Sequence, residues 1–211
     1  MNNKYFLLRH GQTIYQTEKK DILYPFPENP PVGLTEVGKK QIEEAAEKIK
    51  DKGVNLIFSS DFFRTRQTAE IVAKKLGLEI YPVKSSKAGV PSKAEQFNRV
   101  NFDKRLRDLN MGVFYSAKKN DYLNLFSDLK ERFSKRPENG ENWEDVKKRL
   151  TDFLNEIEKK YQNKNILIIS HGDPLWLLEG IIRDFKTDEE FLKIRIKDVY
   201  PDPGQLIETK G

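Results

Sequence analysis

The stretch Lys4-Tyr5-Phe6-Leu7-Leu8-Arg9-His10-Gly11-Gln12-Thr13 decides how this chain is read. Tyr5 to Leu8 form a short apolar run of the kind that becomes a buried strand. Directly after it stand a cation, an imidazole and a residue free to take positive φ, so chemistry-bearing groups fall where a strand ends and a loop begins. Ile166 to Gly172 repeats that grammar as Ile-Leu-Ile-Ile-Ser-His-Gly, and His10 and His171 are the only two histidines of the chain. If the two runs lie parallel and close in one sheet, both imidazoles emerge at the same edge. One histidine at a strand end is ordinarily structural or solvated. Two in the same setting, one of them preceded by Arg, point to a site. A metal centre is the alternative, since His is the commonest metal ligand. With no Cys its other ligands would have to be carboxylates, and Arg9 is a poor neighbour for a dication. No metal and no cofactor is expected.

Working outward, Ile14 to Gly33 is a long connection carrying Pro25, Pro27, Pro30 and Pro31. A loop of that length inside a compact domain is usually functional, and it is read as part of a site wall. Thr35 is placed as the N-cap of a helix whose apolar positions are Ile42, Ala45, Ala46 and Ile49, with Gly53 closing it. A second strand, Val54 to Phe58, leads through Ser59-Ser60 into a helix from Asp61 to Leu76, stopped by Gly77. Leu78 to Val83 reads as a further strand and Lys84 to Asp103 as an irregular excursion. Asp121 to Phe133 is expected to be helical. Glu141 to Tyr161 is the clearest helix, with Trp143, Val146, Leu150, Phe153, Leu154 and Ile157 on one stripe. After the strand Ile166 to Ser170, Asp173 is read as an N-cap and Pro174 as a first-turn proline. A short helix from Glu189 to Ile196, a turn at Tyr200 to Gly204 and a last run, Gln205 to Ile207, complete the chain.

Alternating short strands and amphipathic helices imply one α/β domain over residues 1–211, a three-layer α/β/α sandwich with a mainly parallel central sheet. Sites in such folds lie beyond the carboxyl ends of the strands, where His10, Ser59-Ser60 and His171 all fall. Composition narrows the classes further. With 211 residues, 37% hydrophobic and 34% charged, the chain reads as a folded globular domain. No apolar run approaches the roughly 20 residues of a membrane helix, and no leader pattern is visible, so a cytoplasmic setting is expected. The absence of Cys rules out disulfides and thiol chemistry. The net charge of +5 raises the question of an anionic polymer as partner. Most lysines, however, alternate with glutamates on helical faces, so neither nucleic acid nor membrane is expected as partner, and no oligomeric state is indicated. The one dense basic patch is Lys104-Arg105-Leu106-Arg107, either a solvated loop or a contact for a second anionic group of a substrate.

Arg64 in the first turns of the second helix is a further cation able to reach the same edge; a surface salt bridge is its plainer reading. Two guanidiniums, two imidazoles and a helix N-terminus after His171 would make a cage for a dianion. At this point the chain resembles the histidine phosphatase superfamily, the group that includes phosphoglycerate mutase. Phe6-Leu-Leu-Arg-His-Gly-Gln-Thr13 is similar to its signature, and Leu34-Thr35 with Gly38 and Gln41 to its Leu-Thr-x-x-Gly-x-x-Gln helix start. Ser59-Ser60, Arg64-Thr65 and Gln67-Thr68-Ala69 resemble a third segment. Gly140-Glu141-Asn142 with Arg149 resemble a fourth, and Ser170-His171-Gly172 the second histidine motif.

The resemblance implies that His10 is the nucleophile and becomes phosphorylated, while Arg9, Arg64 and His171 hold the phosphoryl oxygens, with Thr13 and Gln16 also on the phosphate. It implies a metal-independent phosphomonoesterase acting on a small phosphorylated substrate. Two departures matter. Where the family often carries a proton-donating Glu, Asp108 stands one methylene shorter, and the Trp-Glu-Gly that usually follows has become Phe114-Tyr115-Ser116. Asp173, two residues after His171, is a rival donor on the pattern of acid phosphatase relatives. Asp108 is the choice here, because Asp173 suits a helix cap. A phosphoglycerate mutase is the alternative activity, disfavoured by Tyr15-Gln16 in place of the mutases' Trp-Asn. A non-catalytic phosphate-binding or interaction module of the same fold is the alternative outside enzymes, against which the intact Arg9, His10, Arg64 and His171 argue. The position of the chain's ends leaves open that it is a domain of a larger protein.

Overall fold

The computed structural model describes residues 1–27, 29–78, 100–196 and 200–209. Strands β1 (Lys4–Arg9), β2 (Leu56–Ser59), β3 (Val100–Phe102), β4 (Asn165–Ser170) and β5 (Leu206–Glu208) form one sheet in the order β3-β2-β4-β1-β5. All neighbours are parallel except β1 and β5. The central strands are covered on both faces, which is why they read as unbroken apolar runs. Side chains alternate across them. Tyr5, Leu7, Leu56, Phe58, Ile166 and Ile168 join one core cluster, and Phe6, Leu8, Ile57, Leu167 and Ile169 the other.

Helices α1 (Glu36–Lys50) and α2 (Phe63–Leu76) cover the second face. The first is covered by α4 (Trp143–Lys160) and α5 (Gly172–Ile182), with α6 (Asp188–Ile196) packed on α5. The three-layer architecture read from the sequence is the one observed. Thr35 caps α1 as expected, its hydroxyl accepting from the Gly38 amide at 3.0 Å. Asn142 and Asp145 form a reciprocal capping box that starts α4. α5 is buried all round, with Leu175, Trp176, Leu177 and Leu178 at 0% exposure. Among the described residues no helix is long and apolar enough to cross a membrane.

Four expectations of secondary structure are corrected. Asp121 to Phe133 is not one helix but α3 (Lys119–Leu123) followed by a 3-10 turn, Lys130–Phe133. Asp128 accepts from the Glu131 amide and Glu131 from the Ser127 amide, local bonds that compete with helix continuation. Second, the stretch assigned as irregular ends in β3, which is too short to show a period and is defined by its pairing with β2. Third, Asp173 is not the N-cap of α5. His171 takes that position with extended backbone, and Asp173 is the second helical residue, its carboxylate drawn into ion pairs instead. Leu78 is not in a strand, and the rest of the strand expected at 78–83 lies outside the described residues.

Candidate active site

Register brings the key residues together. Arg9 pairs with Ser170 across β1 and β4, and Ser59 with Ile169 across β2 and β4. The next residues of each strand, His10, His171 and Ser60, therefore share one edge of the sheet. The His10 and His171 rings lie 5.2 Å apart, centre to centre, and both are buried. The loop after His10 is held against α1 with the two backbones in contact. A Cβ on Gly11 would meet the Gly38 carbonyl oxygen at 2.3 Å, and one on Gly38 would meet the Gln12 carbonyl at 2.2 Å. This is the physical content of the glycine in the Leu34-Thr35…Gly38 segment.

His10 Nδ1 lies 2.8 Å from the Gly11 carbonyl, which can only accept. Nδ1 therefore carries the proton, and Nε2 keeps a free lone pair. Burial, then Arg64, then Arg9 hold the His10 pKa well below the ordinary histidine value, so the ring is neutral. His171 is likewise held low by burial first and then by Arg64. Its Nε2 meets Ser60 Oγ at 2.9 Å, and its Nδ1, buried and without a hydrogen-bond partner, lies 3.7 Å from Asp108 Oδ2.

Arg64 is not a surface salt bridge. It is 3% exposed, donates to Asp108 Oδ2 at 3.2 Å and lies over the Tyr24 ring at 4.1 Å. Arg9 donates to the Pro201 carbonyl at 2.7 Å. Asp108 receives the Leu109 amide on its other oxygen, and burial pushes its carboxyl above the usual aspartate range despite Arg64. Arg149 donates to the Asp108 backbone carbonyl at 3.1 Å and is itself held by Glu141, which also accepts from the Asn110 amide. The Glu141 and Arg149 of the fourth segment thus clamp the backbone that presents Asp108. Thr13 and Gln16 are bonded to each other and to the Tyr24 hydroxyl. Sequence reasoning gave no role to Tyr24, Ser60 or Arg149. Ser60 and Arg149 stood inside quoted motifs, whereas nothing local marks Tyr24.

Arg64 and Asp108 line an open cleft together with Tyr24, Pro25 and Val32 of the long loop. The long loop thus forms a wall of the cleft. In the basic patch Arg105 pairs with Asp103 and Glu156, and Arg107 makes two bonds to Asp61 at 2.6 and 2.7 Å while its guanidinium lies over the Phe62 ring at 5.2 Å. Among the described residues no group of three or more His, Cys, Asp or Glu side chains is placed to hold a metal ion.

Asp173 lies behind this site. Its carboxylate receives Arg132 Nη2 and Trp143 Nε1, both at 3.0 Å, and Arg195 at 3.4 Å. Burial pushes its carboxyl up, but Arg132 and Arg195 outweigh that and hold it below the usual range. A group so placed stabilises the fold above the unfolded aspartate pKa, and that contribution is lost as pH falls through its lowered folded value. Asp173→Asn is expected to cost about 3 kcal/mol in urea unfolding at neutral pH, because two buried guanidiniums lose their counter-charge. The deficit should shrink in acid; an unchanged midpoint at neutral pH would show that Asp173 is not the anchor.

The sequence profile of the histidine phosphatase superfamily (branch 1) matches residues 5–85 and 91–195. The chain is 27% identical over 194 residues to the Erwinia tasmaniensis protein named "Probable phosphoglycerate mutase GpmB", covering 88% of this chain and 77% of that one. Among solved structures, Bacillus stearothermophilus YhfR superposes with a TM-score of 0.69 at 20% identity, covering 99% of this chain and 92% of its own. A mycobacterial glucosyl-3-phosphoglycerate phosphatase superposes with a TM-score of 0.66 at 21% identity, covering 87% and 80%. At these identities the structural likeness speaks for the fold.

Proposed function

Because this chain belongs to the histidine phosphatase superfamily, branch 1, we propose that it hydrolyses phosphomonoesters without a metal, through a phosphohistidine formed on His10. The observation that carries this reading is the His10 hydrogen bond to the Gly11 carbonyl, which leaves Nε2 unprotonated in a buried, cation-flanked position. Nε2 attacks phosphorus, the N–P bond forms, and the ester P–O bond breaks. Asp108, kept protonated more readily than an ordinary aspartate, gives its proton to the leaving alkoxide. Water then attacks phosphorus, returns a proton to Asp108 and displaces Nε2, releasing inorganic phosphate. Phosphoryl transfer needs positioning and charge stabilisation above all. Arg9, Arg64 and the unmet Nδ1 of His171 supply those contacts in this scheme, with Thr13 and Gln16 acting through Tyr24 behind them.

A mutase is the second reading, favoured by the name of the Erwinia relative. Product analysis separates the two: a hydrolase given 3-phosphoglycerate releases inorganic phosphate, and a mutase moves the phosphate to the neighbouring oxygen. The cations of the scheme are all side chains, so turnover of a phosphomonoester panel is expected to stay within about twofold in excess chelator, against the several kcal/mol a metal Lewis acid would contribute. Loss of activity that a divalent ion restores would overturn the mechanism. A cytoplasmic setting is part of the same proposal and rests on the cysteine-free composition.

A further inference from the structure

The cleft that reaches Arg64 and Asp108 has apolar walls. Pro27, Pro30 and Val32 of the long loop, Leu109, Met111 and Tyr115, and Phe62 line it. Among the described residues lining it, Arg64 and Asp108 alone carry charge, and they face each other at 3.2 Å. In the basic patch Arg105 is paired with Asp103 and Glu156, and Arg107, whose guanidinium lies over the Phe62 ring, with Asp61.

The rim carries apolar side chains that folding left in water. Phe26 is 67% exposed and meets Tyr115 edge to face at 5.5 Å. Val113, 56% exposed, lies between Met111 and Tyr115 in the chain. Phe63, 40% exposed, has its ring against Gly33, next to Val32. Clustered exposed hydrophobics around a concave opening mark a binding surface.

We infer that the alcohol this site takes is an uncharged, apolar group, and that a substrate bearing a second anionic group is discriminated against. The inference rests on the hydrolase reading and adds its substrate class. Among the described residues lining these walls, a carboxylate or second phosphate would be stripped of water and meet no cation besides Arg64 of the phosphoryl end, which is unfavourable. An apolar group in the same place covers prolines, Met111 and Tyr115 and loses only hydrophobic hydration. Discrimination by such walls is typically one to two orders of magnitude.

The test compares benzyl phosphate with glycerol 3-phosphate and 3-phosphoglycerate. All three leave as alkoxides, so their ratio reads recognition of the alcohol and not its leaving ability. Benzyl phosphate is expected to exceed both in kcat/KM by about 10–100-fold. Phe26→Ser, a change at a solvent-exposed position that spares the core, should shrink that ratio severalfold. Nitrophenyl phosphate turnover is the reference for a working site. If it is turned over while 3-phosphoglycerate equals or exceeds benzyl phosphate, the substrate class is wrong and the hydrolase reading stands. If no ester is turned over and His10 takes up no label from nitrophenyl phosphate, the hydrolase reading itself falls, and the substrate class with it.

Discussion

His10→Ala is expected to abolish turnover of every phosphomonoester, a loss on the order of 10⁴–10⁶-fold of the kind seen when a nucleophile is removed. The neutral ring and its fixed tautomer make Nε2 the attacking atom, and no other described side chain offers an unprotonated nitrogen at that edge except His171, whose Nε2 is engaged with Ser60. Wild-type protein quenched in mid-turnover should therefore carry a label lost in acid and stable in alkali, as a phosphoramidate is, and His10→Ala should carry none. The substitution leaves a gap in a buried place, so a thermal melt accompanies the assay. A folded variant that still labels, or turns over normally, would remove His10 from the nucleophile's role.

The second large effect separates leaving groups. An alkoxide leaves badly unless it is protonated as the P–O bond breaks, and a positioned acid is typically worth ~10²–10⁴-fold there. A nitrophenolate leaves without help. Asp108→Asn is expected to lose that factor on benzyl phosphate and only a fewfold on nitrophenyl phosphate. The pH profile follows from two displaced groups. His10 is held low, so the nucleophile stays neutral further into acid than an ordinary histidine. Asp108 is held high, chiefly by burial, so its proton persists to higher pH than an ordinary aspartate's. Activity on the alkyl ester should fall as pH rises through the raised Asp108 value, and that limb should be missing both for nitrophenyl phosphate and in Asp108→Asn. Asp173 is ill suited to the donor's part: its carboxylate is held ionised by Arg132 and Arg195. Asp173→Asn should thus weaken the fold yet keep the alkyl-ester profile. The converse pattern, with the alkaline limb lost in Asp173→Asn and kept in Asp108→Asn, would transfer the donor's role to Asp173.

The parts of this chain legible in its sequence are those where a local pattern and the global arrangement agree. β1 and β4 are buried on both faces, so their membership shows as uninterrupted apolar runs, and the residue after each run must stand at the sheet edge. His10 and His171 were found that way, and Thr35 marks a helix start through a bond made within three residues. Periodicity failed where the deciding partner is remote or the element is short. β3 has three residues and exists through its pairing with β2. Asp173 has the residue type and position of a cap, but a carboxylate beside Arg132, 41 residues away in the chain, gains more from the ion pair than from a helix amide.

From residues alone came strands β1, β2 and β4, the edge beyond them, and the two histidines and two arginines expected there. Only the tertiary structure decided which nitrogen of His10 is free, which aspartate is raised and which is lowered, and that Tyr24 covers Arg64. Those properties depend on burial and on neighbours such as Ser60, 111 residues from His171, and Pro201, 192 residues from Arg9. A pattern of residue types reports what a segment will bury. It does not report the field in which a buried group sits, because that field is the sum over charges and dipoles that folding brings in from elsewhere in the chain.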